Sequence, residues 1–320
     1  MAQRFLVLAK PCRVPEMFSY RQPVDIKGEK CMANDILIPG KKEFDGGREI
    51  TVVYFKERWI SVEFIRNDLI NSTHPSEHHV QLRDIDTNEI LSIGMFGLIG
   101  HHAFVWKDWL YIFATDHSNI WMSRVKHFDA WSRPKLVLQS DNINGLWINN
   151  NTVVYNGEYF VMGMDLVGGP YTNTVCFARS YDLNEWHFIP GAIYRPHLYT
   201  ACPILKYDNG WYYLFHCRGI EKWLFETFVG RSRDLLVWED SPHNPILSPD
   251  TNEILPPLVE GDTNVYHSCN YSDLEVYERD GKTIGYFSVA TQKHDVQAYV
   301  QRADYNGTLK EFYAELFDEK

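Results

Sequence analysis

Short runs of β-branched and aromatic residues, each closed by a polar turn and followed by a second aromatic run, recur along the chain. The first copy reads Val52-Val53-Tyr54-Phe55-Lys56-Glu57-Arg58-Trp59-Ile60. The others span Ala103–Tyr111, Val153–Phe160, Ile204–Tyr213 and Leu274–Ile284. Turn pairs such as Asn156-Gly157 and Asp280-Gly281 are hairpin chemistry, so each copy predicts two antiparallel strands. The first residue of each second run is Trp59, Trp109, Tyr159, Trp211 or Thr283, giving steps of 50, 50, 52 and 72. A period of about 40 to 50 residues with strand chemistry predicts blades. The long last step predicts an insertion between Ser241 and His267.

Most hairpins are followed by a third strand that runs into a polar turn and a tryptophan. Ala178-Arg179-Ser180-Tyr181-Asp182-Leu183-Asn184-Glu185-Trp186 and Gly230-Arg231-Ser232-Arg233-Asp234-Leu235-Leu236-Val237-Trp238 show it best, with a degenerate copy at Ser123–Trp131. Because the Arg-Ser-x-Asp-Leu segment repeats at one blade position, its Ser and Asp read as backbone-bonding turn residues rather than substrate clamps. The sequence therefore predicts an all-β chain, with residues 1–320 forming one domain, a five-bladed β-propeller of four-stranded antiparallel blades. Helices should be scarce, since no segment sustains helical periodicity beyond about two turns. Phe5–Ala9 is expected to supply the outer strand that closes the last blade.

Composition narrows the classes of function. The 320 residues are 45% hydrophobic and 15% aromatic, which excludes a disordered chain or a coiled coil, and no apolar stretch suggests a membrane span. A net charge of −11 gives an acidic surface that repels phosphate backbones, so nucleic acid is not an expected partner. The apolar run at the N-terminus is followed by Lys10, Pro11 and Arg13 instead of a small-residue cleavage site, so no secretion signal is read there. Cys12, Cys31, Cys176, Cys202, Cys217 and Cys269 are widely spaced, without zinc spacing. They read as free thiols in a reducing, cytoplasmic setting.

In a propeller, the starts of first strands and the ends of second strands share one face of the central channel. Starts offer Arg48, Glu49, His101, His102, Asn150, Asn151, Thr200, Ser272 and Asp273; ends offer Asp116, His117, Asp165, His216, Arg218, Gln292 and His294. One of the neighbours His101 and His102 should point away from the channel. Asp116 and Asp165 fit either a site or a capped turn. Asp273 precedes an apolar inner strand, where a turn needs no acid. His74, His78 and His79 share one loop, but Ser76 and Glu77 make it read as solvated, and no metal site is assigned.

Several of these segments resemble a known family. Asn151-Thr152-Val153, Tyr199-Thr200-Ala201-Cys202-Pro203, Tyr207-Asp208-Asn209-Gly210-Trp211-Tyr212-Tyr213, Phe225-Glu226-Thr227, Ser241–Leu247 and Asn270-Tyr271-Ser272-Asp273 are similar to five-bladed propeller glycoside hydrolases akin to families 43, 32 and 117. The resemblance covers Asn149–Phe317; the first two blades match in architecture only. It implies carbohydrate hydrolysis by carboxylic acids at the channel mouth, mostly without a cofactor, with a channel cation such as calcium in some relatives. Asn151, Asp165, Glu226 and Asp273 fall where the pattern carries polar site residues. Two positions depart from it: a Glu usually stands where Asp165 is found, and another acid near Cys217.

Glycoside cleavage needs one protonated acid and one ionised base or nucleophile. Asp165, Glu226 and Asp273 can supply both states, because nearby like charges push carboxyl pKa values apart. These three are the expected catalytic residues, with Asp165 and Asp273 as an inverting pair. His101, His102, Asp116, Asn151, Thr200, His216, Arg218 and His294 are the expected substrate-binding residues. Trp121, Trp147 or Trp223 would stack on sugar rings. A glycan-binding propeller that has lost an acid, and a protein-interaction propeller, are the competing readings; the polar mouth argues against the latter.

Overall fold

The computed structural model describes residues 36–319 apart from 46, 66–77, 141–145, 169–170, 222–223, 258–260 and 292–297, and gathers them into one compact unit. Strand β1 (Ile38–Asp45) comes first among the described residues but joins the last blade. Blade 1 is β2 (Gly47–Phe55), β3 (Arg58–Ile65), β4 (His79–Asp84) and β5 (Ile90–Gly94). Blade 2 is β6 (Ile99–Trp106), β7 (Trp109–Thr115), β8 (Asn119–Val125) and β9 (Lys135–Gln139). Blade 3 is β10 (Trp147–Tyr155), β11 (Phe160–Gly168), β12 (Tyr171–Ser180) and β13 (His187–Tyr194). Blade 4 is β14 (Thr200–Asp208), β15 (Trp211–Glu221), β16 (Leu224–Ser232) and the short β17 (Glu239–Asp240). The insertion holds a small ribbon of β18 (Ile254–Leu255) and β19 (Tyr266–His267). Blade 5 is β20 (Asn270–Arg279), β21 (Lys282–Ala290) and β22 (Tyr299–Tyr305), completed by β1, and the helix α1 (Leu309–Leu316) follows.

The predicted five-bladed propeller is the fold observed. Its closing strand differs from the expectation: β1 pairs antiparallel with β22, so Ile38–Asp45 occupies the outer edge of blade 5. Phe5–Ala9 lies outside the described residues, as do the other residues before Ile36.

Period-two alternation sends one set of side chains from each blade against the next, and the apolar core is divided accordingly. Five clusters fill the five blade interfaces. Val62 and Leu82 meet Leu110 and Ile112, Phe113 and Ile120 meet Met162 and Met164, and Phe177 meets Leu205 and Leu214. Phe215 and Val229 meet Leu274 and Phe287, and Ile50 and Val52 meet Tyr277 and Tyr286.

The repeated Ser-x-Asp turn is structural, as its repetition predicts. Ser180 Oγ accepts from the Leu183 amide at 2.9 Å and Asp182 Oδ1 from the Asn184 amide at 2.8 Å; Ser232 and Asp234 make the same bonds to Leu235 and Leu236, both at 2.9 Å. The turn delivers the tryptophan to the preceding blade. Trp186 meets Phe113 edge-on, Trp238 stacks on Phe177, and Trp131 donates to Ser92 Oγ at 2.6 Å. A Cβ on Gly94 would come within 2.4 Å of the Trp131 ring, so this approach requires glycine.

Candidate active site at the channel mouth

Every inner strand breaks register once near its start: Arg48/Ile50 in β2, Ile99/His102 in β6, Ile148/Asn151 in β10, Ala201/Ile204 in β14 and Ser272/Glu275 in β20. A bulge re-aims the side chain it carries. Four hold a residue in left-handed backbone: Glu49 (φ 49°), Gly100 (56°), Cys202 (54°) and Asp273 (57°). Asp adopts this conformation more readily than most residues because its short side chain bonds locally, and Ser272 Oγ donates to Asp273 Oδ2 at 2.5 Å. At Gly100 a Cβ would stand 2.9 Å from Asn150 Oδ1. Glu49, His101, Asn150, Asn151, Cys202 and Asp273 thereby line one cleft on the axis, of about 10 Å³, room for about one water.

Asp165, on β11, stands behind this ring. It is 1% exposed, and its Oδ2 accepts the Cys202 amide at 3.3 Å. Burial, reinforced by the charge of Asp273, holds its carboxyl well above the usual range, against the lowering effect of the Cys202 amide. It does not line the cleft. Glu226, half-buried on β16, accepts from Ser248 Oγ at 2.7 Å and does not line the cleft either. The charges of all three expected acids reach the Cys217 thiol, which is pushed up by burial first and then by Asp273, Asp165 and Glu226.

The two adjacent histidines face different parts of the channel. His101 Nε2 donates to the Val62 carbonyl at 2.7 Å and its ring lines the cleft; burial lowers its pKa to about 4. His102 Nδ1 accepts the Val153 amide at 3.1 Å, which places the ring proton on Nε2, and it lines a second cavity further along the axis. Asn151 Nδ2 donates to the Gly100 carbonyl at 2.5 Å, tying blade 3 to blade 2 at the cleft wall.

The remaining expected binders lie elsewhere. Asp116 is exposed and accepts from the Ser118 and Asn119 amides and the Trp121 indole, so it caps the β7–β8 turn. Thr200 is buried and bonds Thr174 Oγ1 at 3.4 Å. His216 is buried edge-on to Tyr194, with its pKa lowered to about 4 by burial. Arg218 covers the Phe228 ring at 5.0 Å and is the cross-strand partner of Glu226. Trp147 packs against His117. His294, Gln292, Trp223 and His74 lie outside the described residues.

Glu49 is the acid that the selection of catalytic residues passed over. It stands ten residues before Trp59, as Asp273 stands ten before Thr283. Aligning the copies on their anchors would have paired them. Among the described residues no three His, Cys, Asp or Glu side chains converge as metal ligands. No helix among them is long and apolar enough to cross a membrane.

No family model matches the sequence, and no curated protein does. Solved structures do match. A thermostable family-43 glycoside hydrolase superposes with a TM-score of 0.57 at 11% identity, over 83% of this chain and 90% of that one. The Bombyx mori family-32 β-fructofuranosidase gives 0.56 at 12%, over 81% of this chain and 61% of its own. The Cellvibrio cellulosa α-L-arabinanase complexed with arabinohexaose gives 0.53 at 11%, over 82% and 92%. The chain has the five-bladed propeller fold that these glycoside hydrolases of families 43 and 32 share.

Proposed function

We propose that the chain hydrolyses a glycosidic bond of an oligosaccharide or glycan at the channel mouth, with inversion. The observation that carries this is the convergence of Glu49 and Asp273, each on a bulged inner strand, in one cleft with room for about one water. Water held between two carboxyl groups is what an inverting reaction requires, whereas a retaining pair stands only about 5 to 5.5 Å apart. Asp273 acts as base on that water. The proton for the leaving oxygen comes from the second acid of the cleft, on the adjoining blade. Glu49 lines the cleft, which supports it in that role. Asp165, the partner chosen from the sequence, keeps its proton through burial, holds the Cys202 bulge and acts by positioning. The likeness to an arabinanase that holds arabinohexaose supports a carbohydrate as substrate.

The test is Asp273→Asn, assayed on a panel of glycosides and oligosaccharides alongside thermal unfolding. Asn tolerates the left-handed backbone of this position, so the melting temperature should hold. Activity should fall about a hundredfold or more, as for an essential acid or base. Retention within about threefold overturns the assignment, and the anomer first released, read by NMR, decides inversion.

A second reading has one observation in its favour: the bulges of blades 3 and 4 carry Asn150 and Cys202, not acids. A propeller that binds a glycan without cleaving it would bind panel members at this mouth with no turnover by the wild type.

A further inference from the structure

Further along the axis, on the hairpin-turn side, the channel widens into a cavity of about 330 Å³. We propose that this cavity is a second ligand site, separate from the mouth, which takes a neutral polyhydroxyl compound of monosaccharide size. The inference does not depend on the mouth being hydrolytic.

Two buried oxygens on the cavity wall lack a well-formed hydrogen bond among the described residues: Tyr313 Oη, on a residue 3% exposed, and Glu275 Oε2, on a residue 0% exposed whose carboxyl is approached by the Val52 amide. A buried acceptor and a buried phenol left unmatched are costly, and native structures rarely keep them so. Donors line the same cavity. Lys206, whose ammonium carries three donors, pairs with Glu275 Oε1, and His102 keeps its proton on Nε2.

The arrangement selects the class of ligand. Lys206 and Glu275 cancel each other's charge, so the centre of the site favours a neutral molecule. A contacting ammonium and carboxylate match two adjacent hydroxyls, one accepting from Lys206 and the other donating to Glu275. The half-buried rings of Tyr155 and Tyr207 offer apolar faces for the C–H side of a sugar ring. The volume sits at the lower end of the range for small-molecule sites, about 300 to 1,000 Å³. Helix α1 closes one side through Tyr313, and the capping box of Thr308 and Glu311 fixes the start of that helix.

The test measures binding of D-glucose, D-galactose, D-xylose and L-arabinose to the full chain by saturation-transfer NMR and calorimetry. The wild type should bind at least one of the four. Tyr313→Phe keeps the ring and removes the hydroxyl, and should weaken that sugar about tenfold, the scale of one lost hydrogen bond. Tyr207→Ala, at the half-buried rim, should weaken it similarly and serves where the first variant does not fold. Asp273→Asn should leave binding within about twofold, since it belongs to the other end of the channel. Binding of none of the four sugars overturns the proposal. So does binding that survives both tyrosine variants, or that is lost with Asp273→Asn alone, which would place the sugar at the mouth.

Discussion

Desolvation gives Asp165 a protonated carboxyl in the folded chain at pH values where the unfolded chain ionises it. The folded state then binds more protons than the unfolded one, so this residue lowers stability progressively as pH rises above the ordinary carboxyl range. His101 and His216 act with the opposite slope. Each is held neutral down to about 4, so each costs stability as pH falls from about 6.5 towards 4. Thermal unfolding followed against pH should show both limbs. Asp165→Asn can still accept the Cys202 amide and should remove only the upper limb, so that its advantage over wild type grows from near zero at about pH 4 upward. A constant offset between the two proteins would show that the carboxyl titrates alike in both states. Residue identity made these groups visible as candidates, but not which of them the fold hides. Asp116 and Asp165 sit at nearly the same offset from their anchors, yet one caps an exposed turn and the other is buried behind Cys202.

Hairpins set the register of each blade, and their turns differ in quality. Asn209-Gly210 and Asp280-Gly281 place both central residues in left-handed backbone with residues suited to it. Lys56-Glu57 adopts the same conformation, at φ 52° and 61°, with exposed residues that are not suited to it. Replacing the pair by Asn-Gly should stabilise the protein by about 1 to 2 kcal/mol, since each poor left-handed residue costs about 1 kcal/mol or more and the added chain entropy of glycine offsets part of the gain; urea unfolding measures it. No gain would mean that the lysine and glutamate make compensating contacts. The strands themselves were legible because aromatic anchors mark them: Trp109 and Trp211 open β7 and β15, Trp59 and Thr283 are the second residues of β3 and β21, and Tyr159 immediately precedes β11. The bulges were not legible, because a one-residue slip in pairing leaves the alternation on either side intact.

At the scale of the molecule, β1 joins an early segment to the last blade and converts an open row of blades into a ring. Its pairing also covers the edge of β22, which would otherwise present unpaired amides. Deleting Ile38–Asp45 should lower unfolding stability by about 2 kcal/mol or more, from the ladder hydrogen bonds alone, and should promote self-association through the bared edge. Equal denaturant midpoints with and without the segment would show that the ring closes without it. The ring was readable from the period of the repeat. By sequence the apolar run Phe5–Ala9 reads as the closing strand, because an apolar run is the usual strand signal, whereas Ile38–Asp45 is polar and carries Pro39 and Gly40, as an edge strand can.

The bulged starts of the inner strands separate what holds the blades from what the axis presents. Glu49, Gly100, Asn150, Cys202 and Asp273 each stand nine or ten residues ahead of their anchors, outside the apolar clusters between blades. What the mouth presents is therefore written one letter per blade. A combinatorial library confined to Glu49, Asn150, Cys202 and Asp273, with Gly100 kept because a Cβ there would meet Asn150, would vary the groups at the mouth while sparing the apolar clusters that hold the blades.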